Sequence, residues 1–383
     1  MLVCVMRATK VSIYDLIIPF RLDFSHSLFR RSQTECVVVV IEDEEGLRGV
    51  GEGAPRGYVT GESLPECLGA LKDLSSAITG VELQSYRDLT VLLEKLGVSE
   101  DSPRCPAALC AIELALLDLW ARGQNKVVWQ LFADSPGKPV LVYSAVIPLI
   151  SDKQSLRRLL ELVKSLGLEH VKLKIRDCRQ GIEHIGLARE ILGDSVDLRA
   201  DANGALSVES AIELCREVSP FGLCALEQPV AKDDLMGLRS VSESVSIPIF
   251  ADESVNTLEG LRYLLRNKIC EGINIRLSKC GGFIRSLHMC EEVISHGGIL
   301  QIGCHVGETA ILSAAGRNLA TLCPATSYLE GSFSKYLLTE DLSLQDISFG
   351  PKGHAHCLSE PGHGIGVDFD VLEKRGRLIT TLG

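Results

Sequence analysis

Lys174, Asp201, Glu227, Asp252 and Lys279 stand 27, 26, 25 and 27 residues apart in a chain of 383. Each interval is the length of one strand, one helix and their turns, so the five side chains recur in phase with a repeating β/α unit. Their local sequences are VKLKIR, RADANG, LEQP, ADES and RLSKCGG. Lys172 lies two residues before Lys174, which on a strand puts both side chains on one face. In a closed barrel the pattern places lysine, three acids and lysine around one rim, at matching heights. Three adjacent carboxylates repel unless a cation joins them. A hard divalent ion with open positions, Mg2+ or Mn2+, suits such oxygen ligands. A substrate carboxylate held there has its α-proton acidified, because the ion stabilises enolate charge. A free lysine, with a pKa of about 10.4, is a weak base at neutral pH. The ion, and Lys172 beside Lys174, would lower it. Two lysines on opposite sides of one carbon can remove a proton from one face and return it to the other. Taken singly, a strand-end Asp is a helix cap and a strand Lys a solvated edge. The specificity lies in five residues recurring together.

The elements that must position them follow a change of grammar near Val140. From there, strand-like and helix-like segments alternate eight times. Strands are predicted at Val140–Val146, His170–Ile175, Val196–Ala200, Leu223–Leu226, Ile247–Ala251, Gly272–Arg276, Ile299–Ile302 and Tyr328–Glu330. Amphipathic helices fill the gaps, among them Gln154–Leu166, Val208–Val218 and Leu258–Asn267. Repeated β-then-α units imply parallel strands with right-handed crossovers, and seven or eight of them close into a TIM-type barrel. The competing architecture is a doubly wound open sheet. Its dinucleotide-binding form is disfavoured, because no Gly-x-Gly-x-x-Gly follows the first strand. The first third reads as α+β. A hairpin joins Glu35–Glu42 to Leu47–Gly51, and helices are predicted at Ser63–Thr79, Leu83–Leu96 and Ala107–Arg122, the last apolar nearly all round. The expected organisation is an α+β domain over 1–135, a barrel over 136–330, and a loop-rich segment over 331–383 that packs back on the first.

Composition excludes several function classes. Apolar residues make up 46% and charged residues 23%, which describes a folded globular protein. A net charge of −11 argues against nucleic-acid partners, which need clustered Lys and Arg. No apolar run is long enough to span a bilayer, so no membrane partner is expected. The first ten residues, MLVCVMRATK, carry no basic leader or cleavage site, and a cytoplasmic location is expected. The fourteen cysteines form no Cys-x-x-Cys pair and sit mostly inside apolar segments. They read as buried free thiols in a reducing compartment. Cys280, directly after Lys279, is the thiol whose modification is expected to inhibit.

The segments Lys172-Leu-Lys174, Asp201-Ala-Asn203, Glu227-Gln228-Pro229, Asp252-Glu253-Ser254 and Lys279-Cys280-Gly281-Gly282 together resemble the enolase superfamily, specifically its muconate-lactonizing-enzyme subgroup. The resemblance covers essentially the whole chain. GEGAPRGYVTGES at 51–63 looks like one capping-domain loop, and Phe20 to Ser27 sits where the other would be. The resemblance implies an N-terminal α+β capping domain completed by the C-terminal tail, over a modified (β/α)7β barrel. It implies Mg2+ on Asp201, Glu227 and Asp252, with Mn2+ as the substitute. Lys174 and Lys279 become the acid/base pair, Lys172 an electrostatic helper, and Asn203 a neighbour of the ligands. A homo-oligomer is implied by the resemblance alone. Mandelate-racemase-type members use a strand-seven His with a strand-six Asp. Strand six here carries Lys279, so His305 is expected to be a hydrogen-bonding residue of the Gly303–Gly307 turn.

The implied reaction is α-proton abstraction from a small-molecule carboxylate, leading to racemisation or epimerisation of an amino-acid derivative or dipeptide. Muconate-type cycloisomerisation and elimination of the o-succinylbenzoate-synthase kind are alternatives at the same site. A non-catalytic binding barrel is the alternative of another class, against which the intact set of five residues argues. Strand eight reads SYLEGSF, where dipeptide epimerases of the subgroup show Asp-x-Asp. An inward Glu330 there would bind a substrate ammonium group. Phe24, His26 and Tyr58 are expected cap-loop contacts to substrate. Glu308 is expected to favour the N-terminus of the helix that follows it.

Overall fold

The structure, a computed structural model, describes residues 6–25, 30–98 and 104–383. The chain builds its first sheet from antiparallel strands in the order Gly376–Leu382, Met6–Leu16, Cys36–Asp43, Arg48–Gly53. The predicted hairpin supplies the edge strand Arg48–Gly53 and the strand beside it. It turns where Asp43 Oδ1 accepts from the backbone N–H of Glu45 and Leu47, with Gly46 at φ +81°. Helices Leu64–Ile78 and Tyr86–Lys95 begin at Ser63 and Ser85, each closing a capping box with the acid three residues on.

Helix Pro106–Gly123 is buried on every side because it lies between this sheet and the barrel. Its close seat on the sheet explains the alternating glycines of RGVGEG. A Cβ on Gly49, Gly51 or Gly53 would stand 2.4, 2.0 and 2.1 Å from the carbonyl oxygens of Ala115, Ala111 and Ala107. Those alanines are four apart and form one helix face.

The second sheet has eight parallel strands, numbered here β1 Ala145–Ile147, β2 His170–Lys174, β3 Asp197–Asp201, β4 Ala225–Glu227, β5 Ile249–Ala251, β6 Gly272–Ile275, β7 Ile299–Ile302 and β8 Thr326–Leu329. Neighbours in sequence are neighbours in space. Ser144 N–H donates to the Leu329 carbonyl at 2.8 Å, joining β8 back to the start of β1. This is the (β/α) barrel, not the open sheet. The three predicted barrel helices appear as Lys153–Ser165, Val208–Glu217 and Leu258–Arg266.

One predicted strand is two. Val140–Val142 pairs antiparallel with His354–His356 in the tail, and the barrel strand starts only at Ala145. Tyr143 N–H is taken by the Gly353 carbonyl, so the chain changes partner between them. The tail therefore touches the barrel as well as the first sheet, where Gly376–Leu382 forms the edge strand.

Two buried carboxylates fasten the first domain to the barrel. Glu52 accepts from Thr309 N–H at 2.9 Å, Thr309 Oγ1 at 2.7 Å and Leu312 N–H at 3.0 Å. Glu113 accepts from Phe283 N–H at 2.7 Å and Ile284 N–H at 2.9 Å. Each caps the first turn of a barrel helix, Ala310–Leu322 or Phe283–Ser295, where orphan N–H groups and the helix dipole favour an anion. Gly282, at φ +127°, leaves the room that Glu113 occupies; a Cβ there would lie 1.5 Å from Glu113 Oε2. Arg56 adds a third link, donating to the carbonyls of Glu35 at 2.7 Å and Val306 at 3.0 Å.

Candidate active site

Register sets the heights of the key side chains. Lys174 pairs with Asp201, and Asp201 with Glu227, so the three sit level at the carboxyl ends of β2, β3 and β4. Asp252 follows the last residue of β5 directly. Lys279 lies on a one-turn helix, Leu277–Cys280, and not on the strand end itself; that turn closes at Gly281 in the left-handed region. All five are buried, together with Lys172.

The cations and carboxylates are already paired. Lys174 Nζ donates to Asp201 Oδ2 and, at 3.0 Å, to Asn203 Oδ1. Lys172 Nζ contacts Glu227 at 3.0 Å, Glu330 at 2.8 Å and Asp201 at 3.5 Å. Burial opposes its charge, but those three acids outweigh it and hold the ammonium above the ordinary lysine range. Lys279 Nζ donates to Asp252 Oδ1 at 2.9 Å and to the carbonyls of Asp252 and Asn274 at 2.7 and 2.8 Å. Burial pushes it down to about 8, with Arg276 adding to the fall and Cys280 opposing it. Lys174 and Lys279 therefore stand on the Asp201 and Asp252 sides of the acids.

Gln228 shapes the third acid's loop. With φ +37°, its side-chain oxygen accepts from the N–H groups of Asp252 and Ser254 at 3.0 and 3.2 Å, and its nitrogen donates to Ser254 Oγ. Asn203, also at positive φ, donates to Glu253 at 2.9 Å.

Among the described residues no three His, Cys, Asp or Glu side chains are arranged to hold a metal ion as they stand, since lysine and arginine groups occupy the carboxylates. The donor set nevertheless fits one. Three hard carboxylates end consecutive strands, and Asp252 Oδ2 is buried without a hydrogen bond, facing the Arg276 guanidinium.

A pocket of about 30 Å³ opens at the lysines. Phe24, Tyr58, Lys172, Lys174, Asn203 and Glu330 line it, while Lys279 lies behind Asp252, off its wall. His26 lies outside the described residues. Glu330 faces inward as the sequence suggested, but its charge is shared by Lys172 and by Arg199 at 3.5 Å. Two further expectations are corrected. Cys280 is fully buried, which shields it from bulky reagents, and the thiol that lines the pocket among the described residues is Cys304. His305 makes no hydrogen bond at either ring nitrogen, and burial, with Arg276 and Arg56 nearby, holds it neutral. Glu308 accepts from His305 N–H at 3.0 Å and from Ser313 Oγ, in the helix that follows it, at 3.1 Å, while Glu52 takes the N–H groups of Thr309 and Leu312.

The sequence reading missed the layer beneath the rim. Asn274 and Gln301 each donate to Glu227 at 2.8 Å, fixing its two oxygens. Arg199 donates to Ser144 Oγ, at 2.8 Å, and to Gln301. Arg276 completes the group beside Asp252. The signal was present, since Arg199 precedes Asp201 by two and Asn274 precedes Arg276 by two, the same one-face alternation as Lys172 and Lys174. Gly303 makes room for this layer; a Cβ there would stand 2.2 Å from Asn274 Oδ1.

Comparison with known proteins agrees with this geometry. Residues 8–133 match the family model of the mandelate racemase / muconate lactonizing enzyme N-terminal domain, and residues 154–371 match that of the enolase C-terminal domain-like fold. A hydrophobic dipeptide epimerase of Enterococcus faecalis is 29% identical over 315 residues, 82% of this chain and 85% of the relative. An N-succinyl-L-Arg/Lys racemase of Bacillus cereus is 25% identical over 382 residues, 96% of this chain and 98% of the relative. The crystal structure of the N-succinyl Arg/Lys racemase from Bacillus cereus superposes with a TM-score of 0.89 at 22% identity, covering 98% of this chain and 99% of that one. That of the Enterococcus faecalis dipeptide epimerase, complexed with Mg and L-Leu-L-Tyr, gives 0.86 at 26% identity, covering 94% and 100%. The chain belongs to the enolase superfamily, in its mandelate racemase and muconate lactonizing enzyme branch, and is an isomerase of that group.

Proposed function

We propose that the protein racemises or epimerises an N-acylated amino acid or a dipeptide by moving its α-proton between Lys174 and Lys279. The observation that carries this is the placement of two lysines on opposite flanks of three strand-end carboxylates, each bonded to the outer acid on its own side. Asp201, Glu227 and Asp252 would hold Mg2+, or Mn2+ in its place. When bound, the ion supplies charge stabilisation for the substrate carboxylate and the enolate that forms from it. Lys172, kept charged by its three acids, orients the carboxylate end. Asn203 would hold Lys174 by accepting from its Nζ, and Phe24 and Tyr58, in the pocket wall, would exclude water. Glu330 is engaged by Lys172 and Arg199 and has little charge to spare for a substrate ammonium, which favours a neutral, acylated nitrogen.

The activities of the two relatives above, an epimerase and a racemase, support the same half-reaction. The thirteen described cysteines are free, which fits a reducing, cytoplasmic setting, and no helix among the described residues is long and apolar enough to cross a membrane. The test is solvent deuterium incorporation at the α-carbon across a library of N-acyl amino acids and dipeptides. Exchange with inversion supports the reading. Ring closure or loss of a leaving group would assign the site to cycloisomerisation or elimination instead.

A further inference from the structure

A second room adjoins the reactive pocket. A cleft of about 290 Å³ runs between the end of β1, helix Lys153–Ser165 and the tail turn Ser334–Leu337. Phe24, Val146, Val306 and Phe333 line both spaces. The far walls are Leu159 and Leu162 from the helix and Leu166 just after it, with Tyr336 and Phe349 from the tail; among the described residues none that lines the cleft is charged. The two rooms are opposite in kind. One holds about 30 Å³ and has lysine, arginine and glutamate side chains in its wall, and the other is nearly tenfold larger and apolar.

The small room has space for a reacting carboxylate and little else. Whatever the α-carbon carries must leave it, and the shared wall residues mark the way out. The larger room is also partly open, with Leu162 53% and Tyr336 48% exposed. A continuous apolar wall left open beside a charged site is the mark of a ligand groove. Among the described lining residues the Tyr336 hydroxyl alone provides a polar side-chain atom. A charged substituent in the cleft would lose its hydration and find no ionic partner.

We infer that this cleft holds an extended, uncharged apolar chain on the substrate, either the acyl group on its nitrogen or its side chain. The inference rests on the proposed function, and it sets specificity within that function. Leu162 and Tyr336 form the outer wall, Leu159 and Phe349 the inner, and Phe24 stands at the passage between rooms.

Two ligand series test it in the presence of Mg2+. One is N-acyl-alanine with linear acyl groups from acetyl to decanoyl. The other is N-acetyl amino acids with side chains lengthened likewise. Each is measured twice, by kcat/KM for α-deuterium exchange and by calorimetric affinity. In the series that uses the cleft, both quantities should rise about fourfold per methylene until the room is filled. An N-succinyl group should fall at least tenfold below a pentanoyl group. Leu162→Asp, and separately Leu162→Trp, should each cut the long-to-short ratio at least tenfold. The inference is overturned by affinities flat across both series, by succinyl matching pentanoyl, or by ratios unchanged in both variants. Affinity that climbs with chain length while no ligand exchanges would keep the cleft and remove the proposed reaction. Lysine-dependent exchange with flat affinity would do the reverse.

Discussion

Glu113 is the most exacting place to test how the first domain holds the site. Its carboxylate accepts from Phe283 and Ile284 N–H and sits in the space of the absent Gly282 side chain, so it grips the Lys279-Cys280-Gly281-Gly282 segment from behind. It is fully buried, and desolvation pushes it up from the ordinary 4.5 to about 7, although its two backbone hydrogen bonds pull the other way. In the folded state it therefore keeps its proton to higher pH than in the unfolded chain. Below pH 4.5 both states are protonated and the group is neutral to stability. Between pH 4.5 and 7 the folded state binds more protons, so stability falls as pH rises, and above 7 the cost is complete. Integrated from pH 5 to 8, the two pKa values give a loss of roughly 2.5 kcal/mol. Glu113→Gln removes this titration and also turns one acceptor into a donor that faces a backbone N–H. The variant should be the less stable protein at pH 5, with the gap narrowing by roughly 2.5 kcal/mol by pH 8. Urea unfolding of both proteins at four pH values measures it. A gap that stays constant within about 0.5 kcal/mol would refute the buried-carboxylate argument.

Three further outcomes follow from the site. Gly303→Ala drives a methyl into Asn274 and so loosens Glu227; kcat should fall at least tenfold with about 1–3 kcal/mol lost in urea unfolding, and a silent variant would remove Asn274 from the account. A bulky thiol reagent should inactivate slowly through Cys304, the thiol that lines the pocket: Cys304→Ser should resist it while Cys280→Ser stays sensitive, and the reverse pattern would restore Cys280 as the sensitive thiol. Mg2+ at a hundred times its dissociation constant should stabilise the native protein by about 2.7 kcal/mol in thermal or urea unfolding, and Glu227→Gln should abolish that gain; an equal gain in the variant would place the ion elsewhere.

The barrel and the rim were legible because both rest on period. The interval of one β/α unit fixes which strand each acid ends, and alternation fixes its face. What stayed hidden depended on partners distant in sequence. The break at Tyr143–Ser144 is set by Gly353 in the tail, about two hundred residues on, and by Leu329. Glu52 and Glu113 look like ordinary polar residues of a strand and a helix until the helices they cap are in place. Cys280 is buried on the one-turn helix Leu277–Cys280, an element that the strand-end reading of Lys279 did not include. His305 was expected to find a hydrogen-bond partner in its own turn, but Glu308 bonds its backbone instead. The apolar cleft joins residues 145–168 to residues 333–349, a pairing that no local pattern announces.

The central claim is that two lysines serve opposite faces of one carbon. Its most direct measurement is α-deuterium exchange in D2O, started separately from each enantiomer of one active substrate, with Lys174→Ala and Lys279→Ala. Each variant should lose about 100-fold or more of its exchange from one enantiomer while the other still exchanges, and the affected enantiomer should differ between the two. Native exchange from both enantiomers in either variant would contradict the account.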